Sequence, residues 1–426
     1  MRGTTQRLGH SNSQESLSHL RQQLDRYPLG APGGALIYDI LRTIFTPEEA
    51  ELAARLPLGF STLGKLSRCT GLSEDTLRAK LEALADKGLV LDLSLGGEMK
   101  YALPPTLVGL FEFSMMRVRA DIDQHHLAEL FHRYLVQEPE YWLRMRDNST
   151  TPFRTLIHED TIPSDYTEVL DYERASQLIE KETTVAVGLC HCRHVAQHRG
   201  RECSLFSMES CLSFGAIADY LVRHQLACRI NKKRALTMIR ESHQQGMVHL
   251  CDNVQNEPNF LCNCCSCCCE VLASYKNFDF LGNALSSNFE ASVTESRCVR
   301  CERCVAACPV DAIKLSEADS NKVQVDRTTC LGCGLCVSAC QDDAMTMVPR
   351  AQKRLVPENT IKRTLMMAIE NGTLQNLLAD PHSNRSSAAI NRLLGAILRL
   401  SPAKRLLARE AFKSRFVDFL ASKSDG

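Results

Sequence analysis

The chain has 426 residues, enough for about three domains if a domain takes roughly 150. Fifty Lys and Arg balance fifty Asp and Glu, so a protein whose whole surface coats nucleic acid or membrane is excluded. The 21 cysteines are too dilute for a small disulfide scaffold, yet 20 of them lie between Cys190 and Cys340.

Residues 1–30 are polar and end in a Pro and Gly cluster, so the expectation is a flexible N-terminus. They contain no apolar h-region, and no apolar run in the chain approaches the ~20 residues of a membrane helix. A cytoplasmic chain, outside any integral-membrane class, is the expectation. There, thiols stay reduced and clustered cysteines read as metal-binding or catalytic.

Residues 31–103 are expected to form a helical, winged-helix-like domain. Thr46-Pro47-Glu48-Glu49 is a helix start, with Thr46 as N-cap and Glu49 at the capping-box position. A short helix ends at Gly71, and Ser73 caps a second whose Leu77, Leu81 and Leu84 share one face. Two alternating runs around Gly96-Gly97 then predict a hairpin. This order is similar to a winged helix-turn-helix, in which the second helix would face DNA. Here that helix carries Glu74, Asp75, Glu82 and Asp86 beside Arg78, Lys80 and Lys87. Its acidic groups would repel phosphate, which favours a protein-docking or structural role over DNA.

Residues 104–185 read as a mostly helical linker region, with Trp142 in a core or interface. His125, His126, His132 and His158 have no ligand-like partners in sequence and read as ordinary surface or helix histidines.

Residues 186–290 are the expected cysteine-rich metal-binding domain. Cys190 and Cys192 form a C-x-C, followed by Cys203, Cys211 and the run Cys262, Cys264, Cys265, Cys267, Cys268 and Cys269. Six cysteines in eight residues cannot share one face, and unligated they would oxidise. These ten candidate ligands suffice for one or two metal sites. An additional Fe–S cluster is the first reading, zinc the second and a redox-active dithiol the third. His191, His194 and His198 lie beside this site as further candidate ligands, and Arg193 is placed to stabilise an anionic cluster. Cys228 and Cys251 read instead as buried hydrophobes.

Residues 291–349 carry the most specific signal. Cys298, Cys301, Cys304 and Cys308-Pro309 are followed by Cys330, Cys333, Cys336 and Cys340 in the same C-x2-C-x2-C-x3-C spacing. Three thiolates at that spacing wrap a tight loop round one cubane and leave its fourth corner to another segment. Zinc sites more often pair C-x2-C units across a long spacer. The block resembles the two-[4Fe-4S] ferredoxin family, with Gln341 where the second run often has Pro. The resemblance implies a first cluster on Cys298, Cys301, Cys304 and Cys340, and a second on Cys330, Cys333, Cys336 and Cys308. It also implies electron transfer between them. Gly332 and Gly334 allow a tight bend that aims N–H groups at sulfur.

Residues 34–349 as a whole look like a family of 4Fe-4S dicluster proteins common in anaerobic bacteria. The motifs that carry the likeness are Cys190-His191-Cys192-Arg193, Glu209-Ser210-Cys211-Leu212-Ser213-Phe214-Gly215 and residues 262–269, with Ser266 in place of an expected Gly. The resemblance implies iron–sulfur binding and electron transfer, with no substrate.

Residues 350–426 hold 14 Lys and Arg against 6 Asp and Glu and form the expected basic helical C-terminal region, able to dock a partner. Its amphipathic patterns lie at 388–400 and 403–420. The fold class expected is α+β: a mostly helical N-terminal part with a winged-helix-like unit, a cysteine-rich centre, an inserted two-cluster ferredoxin-like domain and a helical tail.

The function that follows is an iron–sulfur electron-transfer protein or subunit working between a redox donor and an acceptor protein. No Gly-rich dinucleotide or P-loop fingerprint supplies an organic cofactor, and no catalytic residue is assigned. Two alternatives stay open: a redox-sensing winged-helix regulator, and a reductase with a catalytic central Fe–S site.

Overall fold

Helix formation starts earlier than the sequence pattern predicts. The computed structural model describes residues 5–162, 173–201, 203, 207–285, 287–316 and 322–378. In it Thr5–Leu24 is a 20-residue helix, which corrects the expectation of a flexible segment over 1–30. Leu17, Leu20 and Leu24 lie on one face and are buried to 2%, 0% and 0% exposure. That single apolar seam anchors an otherwise polar sequence. It packs against the helices Ala35–Ile44 and Pro47–Ala54.

The chain divides into two units. The first comprises Met1–Asn148, Tyr220–Ala227 and Thr364–Gly426. Its local structure follows the sequence signals closely. Thr46 and Glu49 form a reciprocal capping box at Pro47–Ala54. Thr62 and Ser73 cap the helices Leu63–Thr70 and Glu74–Asp86. Leu77, Leu81 and Leu84 are buried, while Glu74, Asp75, Arg78, Lys80, Glu82 and Asp86 stay exposed. Strands β2 (Leu91–Leu95) and β3 (Glu98–Ala102) pair antiparallel around Gly96-Gly97, and the short β1 (Ser61–Thr62) adds to β3. His224 sits between Asp86 and Asp92, at 2.7 and 2.9 Å, and the Tyr220 hydroxyl donates to the Val90 carbonyl at 3.0 Å. Trp142 is a core residue whose indole N–H donates to the Leu135 carbonyl at 2.7 Å. His125 and His126 are exposed and His132 is half-buried, as expected. The described tail contributes the helices Thr360–Glu370 and Leu374–Leu378. The basic patterns at 388–400 and 403–420 lie outside the described residues.

The second unit comprises Ser149–Asp219 and Cys228–Arg363. It holds both the cysteine-rich segment and the two quartets. Its framework is a six-stranded sheet in the order β4 (Phe153–Leu156), β8 (Val248–Asp252), β9 (Phe260–Cys264), β6 (Glu209–Phe214), β5 (Val185–Leu189) and β7 (Ala227–Ile230). So the region read as a helical linker through residue 185 in fact contributes β4 to this sheet. Cys211 pairs with Cys262 across β6 and β9, and Leu212 with Leu261. Because side chains alternate along a strand, this register sorts the residues by face. Val187, Leu212, Leu261 and Cys251 join Leu178, Ile179 and Met238 in a core on one face, beside the helices Ala175–Lys181 and Lys232–Gln244. Cys211, Cys262 and Cys264 occupy the other face. Cys251 is buried as expected, but Cys228 is exposed, on β7, the terminal strand of this sheet among the described residues.

The quartets follow on a smaller scaffold. Strand β10 (Phe289–Val293) pairs antiparallel with β13 (Met345–Pro349), and β11 (Ile313–Leu315) with β12 (Val323–Val325). Short helices Arg303–Ala307 and Leu335–Ser338 follow the loops that carry Cys298–Cys301 and Cys330–Cys333. The described chain is therefore mixed helix and sheet, in keeping with the α+β class.

Candidate metal centres

The two C-x2-C-x2-C-x3-C runs are built alike. Arg300 and Glu302 in the first loop, and Gly332 and Gly334 in the second, all have left-handed backbones, with φ of 61°, 60°, 69° and 90°. Asp311 and Asp343, three residues past the last cysteine of each run, share that conformation. Each turn brings a peptide N–H onto the sulfur four residues earlier: Ala312 onto Cys308 at 3.2 Å and Ala344 onto Cys340 at 3.3 Å. A third such contact runs from Ala291 to Cys330 at 3.5 Å.

These loops shape two cavities. One, of about 330 Å³, is lined by Cys298, Cys301, Cys304 and Cys340 with Val323, Ala344 and Met345. The other, of about 320 Å³, is lined by Cys330, Cys333, Cys336 and Cys308 with Ala291, Ile313, Leu331 and Met347. Each cavity thus meets three cysteines of one run and the last cysteine of the other. Four sulfurs, an apolar wall and N–H groups aimed at sulfur are the donor set that a cubane needs. The residues present fit that group.

The surroundings of the two cavities differ. Cys301 is exposed and Val299 is 62% exposed, with Arg297, Arg300 and Arg303 also exposed nearby. Cys330, Cys333 and Cys336 are each 7% exposed. Burial pushes the Cys333 thiol up to about 12 and raises Cys336 and Cys308 as well. Those groups stay protonated until a metal displaces the proton. Arg350 clamps this second loop: it donates to the Cys330 carbonyl at 2.6 Å, to the Ser287 carbonyl at 3.1 Å and to Glu290 at 3.1 Å.

His158 also backs the second loop, and here the reading as an ordinary surface or helix histidine is corrected. It is 2% exposed, its backbone N–H donates to the Cys333 carbonyl at 3.0 Å, its ring Nε2 meets the Met247 carbonyl at 2.9 Å, and its ring lies 3.7 Å from His243 and 4.5 Å from His249. Desolvation, helped by His243, lowers its pKa to about 3. Sequence carried no sign of this stack, because His158 lies 85 and 91 residues before His243 and His249.

The ten central thiols separate into two groups. Six form a string on the sheet face. Cys211 lies against Cys262, Cys262 against Cys264, Cys264 against Cys269, Cys269 against Cys192, and Cys192 against Cys190. The sheet positions Cys211, Cys262 and Cys264. Cys190 and Cys269 stand at the N-caps of the helices His191–His198 and Glu270–Asn277. Cys262 and Cys269 are held well below the usual thiol range by hydrogen bonds, from Cys211 and Cys264 in one case and from Cys192 and Cys264 in the other. The remaining four, Cys203, Cys265, Cys267 and Cys268, gather in one corner with all sulfurs within 4.8 Å of one another.

Arg193 is 1% exposed and lies against Cys190, Cys264 and Cys265, held by the Ser207 and Asn263 carbonyls at 2.7 and 2.9 Å. His191 bonds to Glu270 at 3.1 Å, and the rings of His194 and His198 meet at 3.1 Å.

Residues 297–362 match the family model of the 4Fe-4S dicluster domain. That makes this part of the chain an iron–sulfur, metal-binding domain and implies [4Fe-4S] clusters and redox partners. The match runs past β13 to include Arg350 and leaves all ten central thiols outside. No curated protein and no solved structure matches the chain. No described helix is long and apolar enough to cross a membrane.

Proposed function

We propose that the chain is an electron-transfer protein or subunit that passes electrons through two [4Fe-4S] clusters. The first is held by Cys298, Cys301, Cys304 and Cys340, the second by Cys330, Cys333, Cys336 and Cys308. The observation that carries this reading is the crossed lining of the two cavities. A cubane accepts and releases one electron with little change in geometry, and burial and N–H donors to sulfur set its potential. The exposed first loop is where a partner protein exchanges electrons, with Arg297, Arg300 and Arg303 as its docking rim. The buried second cluster relays between that rim and the interior.

The six-thiol string on the sheet face is a further iron–sulfur centre in this account. A string of six sulfurs, each against the next, with the buried Arg193 guanidinium beside Cys190 and Cys264, suits an anionic cluster. The helix–turn–helix and hairpin of residues 61–102 act as a winged-helix-like docking module in the cytoplasm. The acidic groups on the exposed face of Glu74–Asp86 disfavour DNA.

Anaerobic purification, iron and sulfide analysis, and low-temperature EPR after dithionite reduction test the proposal. The two clusters alone require about eight iron and eight sulfide per chain. A third centre adds to that count and gives a signal lost in Cys262→Ser. Fewer than about eight iron, with zinc in the quartets, would overturn the electron-transfer reading.

A further inference from the structure

We infer that Cys203, Cys265, Cys267 and Cys268 form a separate site for a single tetrahedral metal ion, zinc. The run at 262–269 divides at the end of β9. Cys262 and Cys264 point to the sheet face as alternate strand residues. The strand ends at Cys264, and the turn over residues 266–268 gathers Cys265, Cys267 and Cys268 into a corner of their own. Cys203 reaches the same corner from the segment after the helix His191–His198, where it packs with Ala196, Cys265 and Cys268.

Distance decides what such a corner holds. Four thiolates bound at ~2.3 Å to one ion stand roughly 3.8 Å apart at tetrahedral angles. Cys267 and Cys268 sulfurs are 3.6 Å apart, and all four lie within 4.8 Å of one another. A cubane spreads its thiolates wider, because its irons are already separated before each adds an Fe–S bond. Among the described residues the eight dicluster cysteines make no such compact group. The two kinds of quartet therefore differ in the dimension that separates a cluster from an ion. Four sulfur ligands leave no open coordination position, which makes this a structural site. Its ion ties the loop after His191–His198 to the turn before Glu270–Asn277, the two helices whose N-caps carry Cys190 and Cys269. It thereby fixes two members of the six-thiol string.

The test uses the full chain, purified anaerobically, and two variants, Cys267→Ser and Cys203→Ser. Cys267 is exposed, so its substitution leaves the core intact. The expected result is about one zinc per chain in the parent, with a sulfur-only coordination shell at ~2.3 Å by X-ray absorption. Zinc should fall at least fivefold in both variants, while the dicluster EPR signals persist. Cobalt added to the zinc-depleted parent should give the intense visible bands of a tetrahedral thiolate site, absent from the variants. Zinc missing from the parent, zinc unchanged in both variants, or an iron–sulfur signal lost with Cys267 would each overturn the assignment. Persistence of the dicluster signals separates failure here from failure of the electron-transfer reading.

Discussion

The two cysteine runs share one spacing and one loop geometry but sit in different environments. At the positions where the second loop has Gly332 and Gly334, the first has Arg300 and Glu302 in the same left-handed conformation. The first loop faces solvent, so its side chains point away freely. In the second, a Cβ at Gly332 would run into the Phe289 carbonyl and the Ser287 hydroxyl, and one at Gly334 into Thr161. The comparison teaches that spacing specifies the ligands, whereas the packing around each loop decides which cluster meets a partner and which is shielded.

The largest expected effect comes from the Arg350 clamp on the second loop. Arg350→Met leaves Glu290, at 10% side-chain exposure, beside the far more exposed Arg327. It also removes the charged hydrogen bonds to the Ser287 and Cys330 carbonyls, each worth about 1.5–3 kcal/mol. The visible cluster absorbance should therefore vanish at markedly lower urea concentration. Gly332→Ala should follow at about 3 kcal/mol, from the left-handed backbone and the overlap together. Glu302→Ala, at the matching position of the first loop, should stay within ~0.5 kcal/mol. Equal effects at the two positions would erase the distinction.

Metal removal sharpens the same contrast. In the apo chain, alkylation near neutral pH should reach exposed Cys301 about tenfold or more faster than buried Cys333, read by peptide mass spectrometry.

The smallest effect concerns pH. The folded His158 resists protonation down to about pH 3. The unfolded chain takes up that proton near pH 6.5. Below about 6.5 the unfolded state thus binds more protons, and stability falls as pH drops, by at most ~1.4 kcal/mol per unit from His158, with His249 and His243, also lowered by burial, adding to the fall. Urea midpoints between pH 7.5 and 5.5 should decline, and His158→Gln should make the decline shallower, with His249 and His243 carrying the rest.

Much of the local structure was legible because it rests on local chemistry. The Thr46 capping box, the Ser73 cap and the hairpin at Gly96-Gly97 each form from neighbours in sequence. The quartets were legible because their spacing reflects a fixed cluster shape. The Thr5–Leu24 helix was missed since its buried apolar residues among those described, Leu17, Leu20 and Leu24, are spread through a run of Ser, Gln and Asn. The split of the central thiols was hidden for a different reason. Cys264 and Cys265 are adjacent in sequence, and only the end of β9 and the turn after it send their sulfurs to different groups. Likewise His158 and Arg350 act through carbonyls of residues far away in the chain.

Whether the last cysteine of each run crosses to the other cluster is decided by one set of spectra. Low-temperature EPR of the reduced chain should be recorded for Cys301→Ser, Cys333→Ser and Cys340→Ser. If Cys301 and Cys340 both hold the first cluster, as proposed, Cys340→Ser should reproduce the spectrum of Cys301→Ser. A Cys340→Ser spectrum matching that of Cys333→Ser instead would contradict the crossing.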